Sequence, residues 1–182
     1  MKIRFVPRRF PIVESTIQRY GCIFPSPIGE MLTLYAGDGI VALALTEERG
    51  RTQVIQNLTK SFGEISFKEG NPSAFFGHIE NGIRSCMIGF RHESFFAYGT
   101  SFQVLIWQTL MTVPFGKTLS YSALAEKVGY PRAVRAVASA VAKNPLAVVI
   151  PCHRIINKNG TVGEFRWGAK TKQKLLELER KE

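Results

Sequence analysis

The hydrophobic rhythm of this chain changes near its midpoint, and no single regular element accommodates both halves. Before that point apolar side chains come in short runs. Met31 to Ala36 and Ile40 to Leu45 flank Gly37-Asp38-Gly39, which predicts a β-hairpin because glycine supplies the positive φ such turns require. After it, Phe102, Leu105, Ile106, Thr109, Leu110 and Val113 recur at helical spacing up to Pro114. The two rhythms predict an α+β chain, with a small N-terminal sheet-and-helix domain over 1–94 and a mainly helical domain over 95–182. Residues 1–20, with Arg4, Arg8, Arg9 and two prolines, read as an irregular or extended basic lead-in. Val54, Ile55, Leu58 and Phe62 predict a helix over 51–62, and a second helix is expected over 73–87. Residues 65–67 read as a short strand and 89–100, rich in His, Ser, Tyr and Gly, as a linker.

Charge follows the same division. The 182 residues carry 24 Lys and Arg against 14 Asp and Glu, a net of +10. Residues 1–98 hold 11 basic against 9 acidic side chains, whereas 99–182 hold 13 against 5, so the second half is expected to face a polyanion. No apolar run reaches the roughly 18 residues of a membrane span, and the N-terminus lacks the apolar stretch of a secretory signal, so an intracellular protein is expected. Three cysteines are too few and scattered for a disulfide framework. Cys22, His78, Cys86 and His92 are donors without the close spacing of structural zinc. Neither a Walker loop nor a dinucleotide fingerprint occurs, so no nucleotide or methyl-donor cofactor is indicated.

The second half carries the motifs. Ser120 is placed to cap a short helix through Val128, Gly129-Tyr130 makes a tight turn, and Pro131 is suited to start a helix reaching about Lys143. This is a helix-turn-helix candidate. On its second helix Val134, Val137, Ala138 and Val141 share one side, while Arg132, Arg135, Ala136, Ser139 and Lys143 form a basic stripe with small residues on the other. Such a stripe serves solubility as readily as phosphate contact. Beyond it come Asn144-Pro145, an apolar strand-like run from Leu146 to Ile150, and Pro151-Cys152-His153-Arg154-Ile155. A cysteine beside a histidine and an arginine is expected to have a lowered pKa and a raised thiolate fraction.

The segment Ile150 to Ile155, with Ser120-Tyr121, Arg135-Ala136-Val137 and Asn144-Pro145 before it and Gly160 to Gly163 and Glu179 after it, resembles the O6-alkylguanine-DNA alkyltransferases, also called methylated-DNA-protein-cysteine methyltransferases. The resemblance runs without gaps over 99–181. Ser26-Pro27-Ile28-Gly29, Leu32 and Gly39-Ile40 look like the family's opening hairpin, which implies a ribonuclease-H-like N-terminal domain. The resemblance implies irreversible, stoichiometric transfer of an alkyl group from O6-alkylguanine in double-stranded DNA to Cys152, by a monomer without a cofactor. His153 would act through a water as base, Glu179 would orient it, Asn144 would brace the active-site turn, and Tyr121 would donate to N3 of the guanine. Arg135 would enter the stack vacated by the flipped base. Ala133, Ala136 and Ser139 would permit close approach to the minor groove, with Ser122, Tyr130 and Lys158 near phosphates. Pro151, Ile155, Phe165, Arg166 and Trp167 would form the substrate pocket.

The chain departs from the family in Gly163-Glu164-Phe165-Arg166-Trp167-Gly168, where the family has a tyrosine at the Phe165 position and small residues at the two that follow. Phe165 keeps an aromatic wall without a hydroxyl, and the backbone N–H of Arg166 could still reach O6. Trp167 is expected to narrow the alkyl pocket, the alternative being an outward ring laid beside the DNA. Competing readings are a non-reacting sensor of alkylated bases, a cysteine hydrolase, and a helix-turn-helix regulator that happens to contain a thiol.

Overall fold

The computed structural model describes residues 2–7, 19–37, 39–69 and 94–181. The helix expected over 73–87, the segment 89–93, Arg8, Arg9, His78, Cys86 and His92 lie outside the described residues.

Among the described residues the first part is a mixed sheet with one helix. Its strands are β1 (Lys2–Val6), β2 (Arg19–Phe24), β3 (Met31–Ala36), β4 (Gly39–Leu45), β5 (Ser66–Glu69) and β6 (Ser94–Tyr98), in the order β1-β6-β4-β3-β2-β5. Strands β2, β3 and β4 form an antiparallel meander, β5 runs parallel to β2, and β6 runs parallel to both β4 and β1. The expected hairpin is β3–β4, with Met31 opposite Leu45 and a register shift at Leu34/Tyr35. Helix α1 (Arg51–Phe62) follows as the periodicity predicts, burying Val54, Leu58 and Phe62.

Two expectations are corrected. The lead-in contains β1 and the start of β2, and residues 94–98 of the expected linker form β6. In Ser94–Tyr98 burial alternates, with Phe95 and Ala97 fully enclosed and their neighbours partly exposed. That is the period of a strand lying on a core, too short to stand out among the surrounding Ser, His and Gly.

The second part is helical: α2 (Ser101–Leu110), α3 (Tyr121–Lys127), α4 (Val134–Ala142) and α5 (Ala169–Lys181), with a two-residue parallel pair of β7 (Leu119–Ser120) and β8 (Ile155–Ile156). A capping box starts α2: Gln103 N–H donates to Thr100 Oγ1 and Thr100 N–H to Gln103 Oε1. Ser120 caps α3 as expected, accepting from Ala123 N–H at 3.1 Å. Helix α4 begins at Val134 rather than Pro131. Ala133 N–H reaches Tyr130 O at 2.9 Å, so Pro131 occupies the second position of a turn, which suits its fixed φ as well as a helix start does. Buried Trp107 donates Nε1–H to Ala140 O at 2.9 Å, joining α2 to α4.

The sheet and the helical part share one core. Leu43 in β4 exchanges backbone hydrogen bonds with the segment after α4, Leu43 N–H to Pro145 O at 2.8 Å and Ala147 N–H to Leu43 O at 2.9 Å. The sheet therefore grips the backbone that leads into Cys152. Among the described residues no helix is long and apolar enough to cross a membrane.

Candidate active site

Helix α4 runs into Asn144, whose buried amide organises the next eight residues. Its Oδ1 accepts from Leu146 N–H at 2.9 Å, and its Nδ2 donates to Ile150 O at 2.8 Å and to Cys152 Sγ at 3.0 Å. The run Leu146–Ile150 is not the expected strand. Its pairing with the sheet is a single bridge, made by the two bonds to Leu43 on either side of Leu146. Ile150 N–H returns to Leu146 O, and Val149 N–H reaches Ala147 O at 2.8 Å around Val148, whose φ is 69°. A β-branched residue in that region costs on the order of 1–3 kcal/mol, so the surrounding bonds and burial must hold it there. Apolar composition reports burial, which a buried turn and a buried strand share; Asn144 supplies the bonds that decide for the turn. Cys152–Arg154 then form a single 3-10 turn leading into β8.

Glu179, near the end of α5, is buried under that turn. It takes hydrogen bonds from Arg154 Nε at 2.9 Å, Arg154 Nη2 at 2.8 Å and Gly116 N–H at 2.9 Å, and lies 2.7 Å from His153 Nε2. Arg154 Nη1 also donates to Val113 O at 2.6 Å. Burial acts to raise the Glu179 pKa, but the bonds from His153 and Arg154 outweigh it and hold the carboxyl down at about 2. An ionised carboxylate only accepts, so Nε2 of His153 carries the proton that bonds it. Burial pushes the His153 pKa down despite the carboxylate, which keeps the ring neutral and leaves Nδ1 as the atom able to take a proton. Among the described residues Nδ1 meets no hydrogen-bonding partner.

The expected effect of His153 and Arg154 on the thiol is corrected. His153 is neutral and Arg154 is committed to Glu179 and Val113. Burial instead pushes the Cys152 thiol up, opposed by the Asn144 hydrogen bond and by the charges of Lys172 and Arg166. Lys172 was not anticipated. It is fully buried in α5, with Nζ 5.7 Å from the centre of the Tyr121 ring and 6.0 Å from that of Phe165. Burial lowers its pKa to about 8, although Cys152 pulls the other way. Burial likewise raises the Tyr121 pKa, keeping its hydroxyl a donor.

Above Cys152 lies a cavity of about 20 Å³ lined by Tyr121, Asn144, Phe165, Arg166 and Trp167 among others. Trp167 is turned inward, 3% exposed, with the Arg166 guanidinium 4.7 Å over its ring. The alternative of an outward ring is not what this conformation adopts. Pro151 and Ile155 are not part of that lining; Ile155 is fully buried in the β7–β8 pair. Next to this cavity opens a cleft of about 620 Å³ bounded by Tyr121, Ser122, Arg135, Ala138, Lys158 and Gly163 among others. Arg132, Arg135, Ala136, Ser139 and Lys143 all lie exposed along α4 and its ends, Ala133 is partly exposed, and Tyr130 projects beside them with its ring edge-on to Phe102.

The Glu179 cluster sets an acid dependence. A carboxyl held at about 2 when folded and near 4.3 when unfolded contributes stability that is complete above the unfolded value and lost as pH falls toward 2. Urea unfolding should show the wild-type protein losing about 2–3 kcal/mol from this group between pH 5 and 2. Glu179→Gln should be less stable at neutral pH and lack that component.

A family model described as 6-O-methylguanine DNA methyltransferase, DNA binding domain, matches residues 101–181. Over 81 residues the chain is 53% identical to the bifunctional transcriptional activator/DNA repair enzyme Ada of Escherichia coli strain K12, an alignment covering 44% of this chain but 23% of that protein. Identity to the methylated-DNA–protein-cysteine methyltransferase of Haemophilus influenzae is 33% over 164 residues, covering 88% of this chain and 86% of the relative. A crystal structure of Mycobacterium tuberculosis OGT in complex with DNA superposes with a TM-score of 0.66 at 29% identity, covering 89% of this chain and 93% of that one. With both parts of the fold included in the Haemophilus alignment, the chain belongs to the methylated-DNA–protein-cysteine methyltransferase family.

Proposed function

We propose that this protein repairs DNA by moving an alkyl group from O6 of guanine to Cys152, once per molecule. The observation that carries the reading is a buried cysteine at the floor of a small cavity, beside a nucleotide-sized cleft edged by the exposed basic face of α4. A 620 Å³ cleft suits a single nucleotide, and the 20 Å³ recess suits its small alkyl substituent.

In this reading α3, the turn at 128–133 and α4 act as a helix-turn-helix docked on the minor groove of double-stranded DNA, with Ala133, Ala136 and Ser139 allowing the close approach. Arg135 fills the place of the flipped guanine, and Ser122, Tyr130 and Lys158 hold phosphates. The Cys152 sulfur attacks the alkyl carbon, forming the S–C bond as the C–O6 bond breaks. The electron pair passes to the guanine, where Tyr121 donates at N3. His153, held in its neutral tautomer by Glu179, draws the thiol proton through a water, and the departing guanine anion takes up one proton, so the proton lost by the thiol is balanced by the one guanine gains. Lys172 and Arg166 favour the thiolate as it forms. The thioether product has no easy leaving group, and the chemistry requires no cofactor. We place the domain division after β6, with the order β5-β2-β3-β4 supporting a ribonuclease-H-like first domain.

Intact-protein mass spectrometry after mixing with a duplex containing O6-methylguanine should record one added methyl group per protein, absent in Cys152→Ser. A lesion-binding sensor would bind that duplex and gain no mass. Trp167 sets a second expectation. Its inward ring narrows the alkyl recess, so single-turnover transfer from O6-benzylguanine should be slower than from O6-methylguanine, and Trp167→Gly should close the gap. Benzyl transfer as fast as methyl in the wild type would remove Trp167 from that role.

A further inference from the structure

Helix α5 carries both Lys172 and Glu179, yet its own sequence gives it no N-terminal cap. The residue before it is Gly168, at φ 100°, whose carbonyl accepts from Lys172 N–H at 3.2 Å. A side chain at that position normally accepts from an N–H of the first turn, and glycine has none to offer. The missing acceptor comes from 123 residues earlier. Glu48 Oε1 takes the Thr171 backbone N–H at 2.6 Å and the Thr171 hydroxyl at 3.0 Å. Glu48 lies in the turn between β4 and α1, closed by Gly50 N–H on Thr46 O at 2.7 Å. Its carboxylate sits so close over Gly168 that a Cβ there would overlap it. The glycine and the distant carboxylate therefore fit as one unit.

We infer that Glu48 is a positioning residue for the reactive thiol: by capping α5 from the sheet domain, it fixes the first turn of the helix and so holds the Lys172 ammonium over the Tyr121 and Phe165 rings, which line the same cavity as Cys152. Thr171, which receives the cap, is the residue immediately before Lys172, and both are buried. A negative charge at this end also complements the helix dipole. The sheet domain thus contributes to the chemistry through one side chain although it supplies no residue to the cavity above Cys152. The inference rests on the reading of Cys152 as the alkyl acceptor.

The test reads the thiol directly and needs no DNA. The rate of Cys152 alkylation by iodoacetamide, followed by peptide mass spectrometry, is measured against pH for wild type, Glu48→Ala, Glu48→Gln, Lys172→Met and the Glu48→Ala/Lys172→Met double variant. Glu48→Ala should slow alkylation at neutral pH by about threefold to tenfold, the loss of thiolate fraction for a rise of the profile by about half a pH unit to one. Glu48→Gln, which keeps the acceptor oxygen, should fall between it and wild type. In the Lys172→Met background Glu48→Ala should add nothing. A Glu48→Ala protein with a lowered melting temperature but an unchanged Cys152 profile would overturn the inference, as would an equal shift with and without Lys172. Failure of the wild type to take a methyl group from damaged DNA is a separate result and would count against the transfer reading alone.

Discussion

A single buried carboxylate holds the site together. Glu179 gathers the turn after α2 through Gly116, the Cys152–Arg154 turn through His153 and Arg154, and the last helix on which it stands. Three segments far apart in sequence converge on two oxygen atoms. An ionised group out of water is costly unless its lone pairs are filled, and here they are filled from three directions. Removing one partner leaves a buried charge, so this cluster tolerates little change. The same bonds that keep Glu179 ionised dictate the tautomer of His153.

The thiol is prepared differently from an isolated reactive cysteine. Burial opposes its ionisation, while the amide of Asn144 and the charges of Lys172 and Arg166 favour it. With burial the larger effect the sulfur is protonated at rest, so the proposed transfer includes removal of its proton. In the proposed transfer the thiol becomes a nucleophile as its proton is drawn off. Asn144 links this state to the fold, because the amide that donates to sulfur also ties the strained turn around Val148.

Much of this was legible in the sequence, for physical reasons that differ by residue. The glycine turn between two continuous apolar runs discloses β3–β4, whose strands are buried on both faces, and helical spacing discloses α1 and α2, which each bury one face. Cys152, His153, Asn144 and Glu179 were named as one site, and Asn144–Cys152 and His153–Glu179 are in direct contact. The sign of the charge effect was not legible. His153 and Arg154 adjoin the thiol in sequence, but a carboxylate 25 residues beyond Arg154 takes up both. Lys172 was hidden among the lysines of Ala169–Lys181, although its spacing from Leu175, Leu176 and Glu179 puts it on the buried face. Nothing local marks Glu48, whose partner is a backbone N–H 123 positions away. The strand β6 escaped notice because its alternation spans only five residues.

The proposed transfer starts from Cys152 as a neutral thiol. Titration of the free protein by thiolate absorbance near 240 nm, with Cys152→Ser subtracted, measures it directly. A neutral Cys152 gives no thiolate signal at pH 7 and an inflection above the ordinary thiol value, in the direction burial pushes it. A thiolate already formed at pH 7 would contradict it.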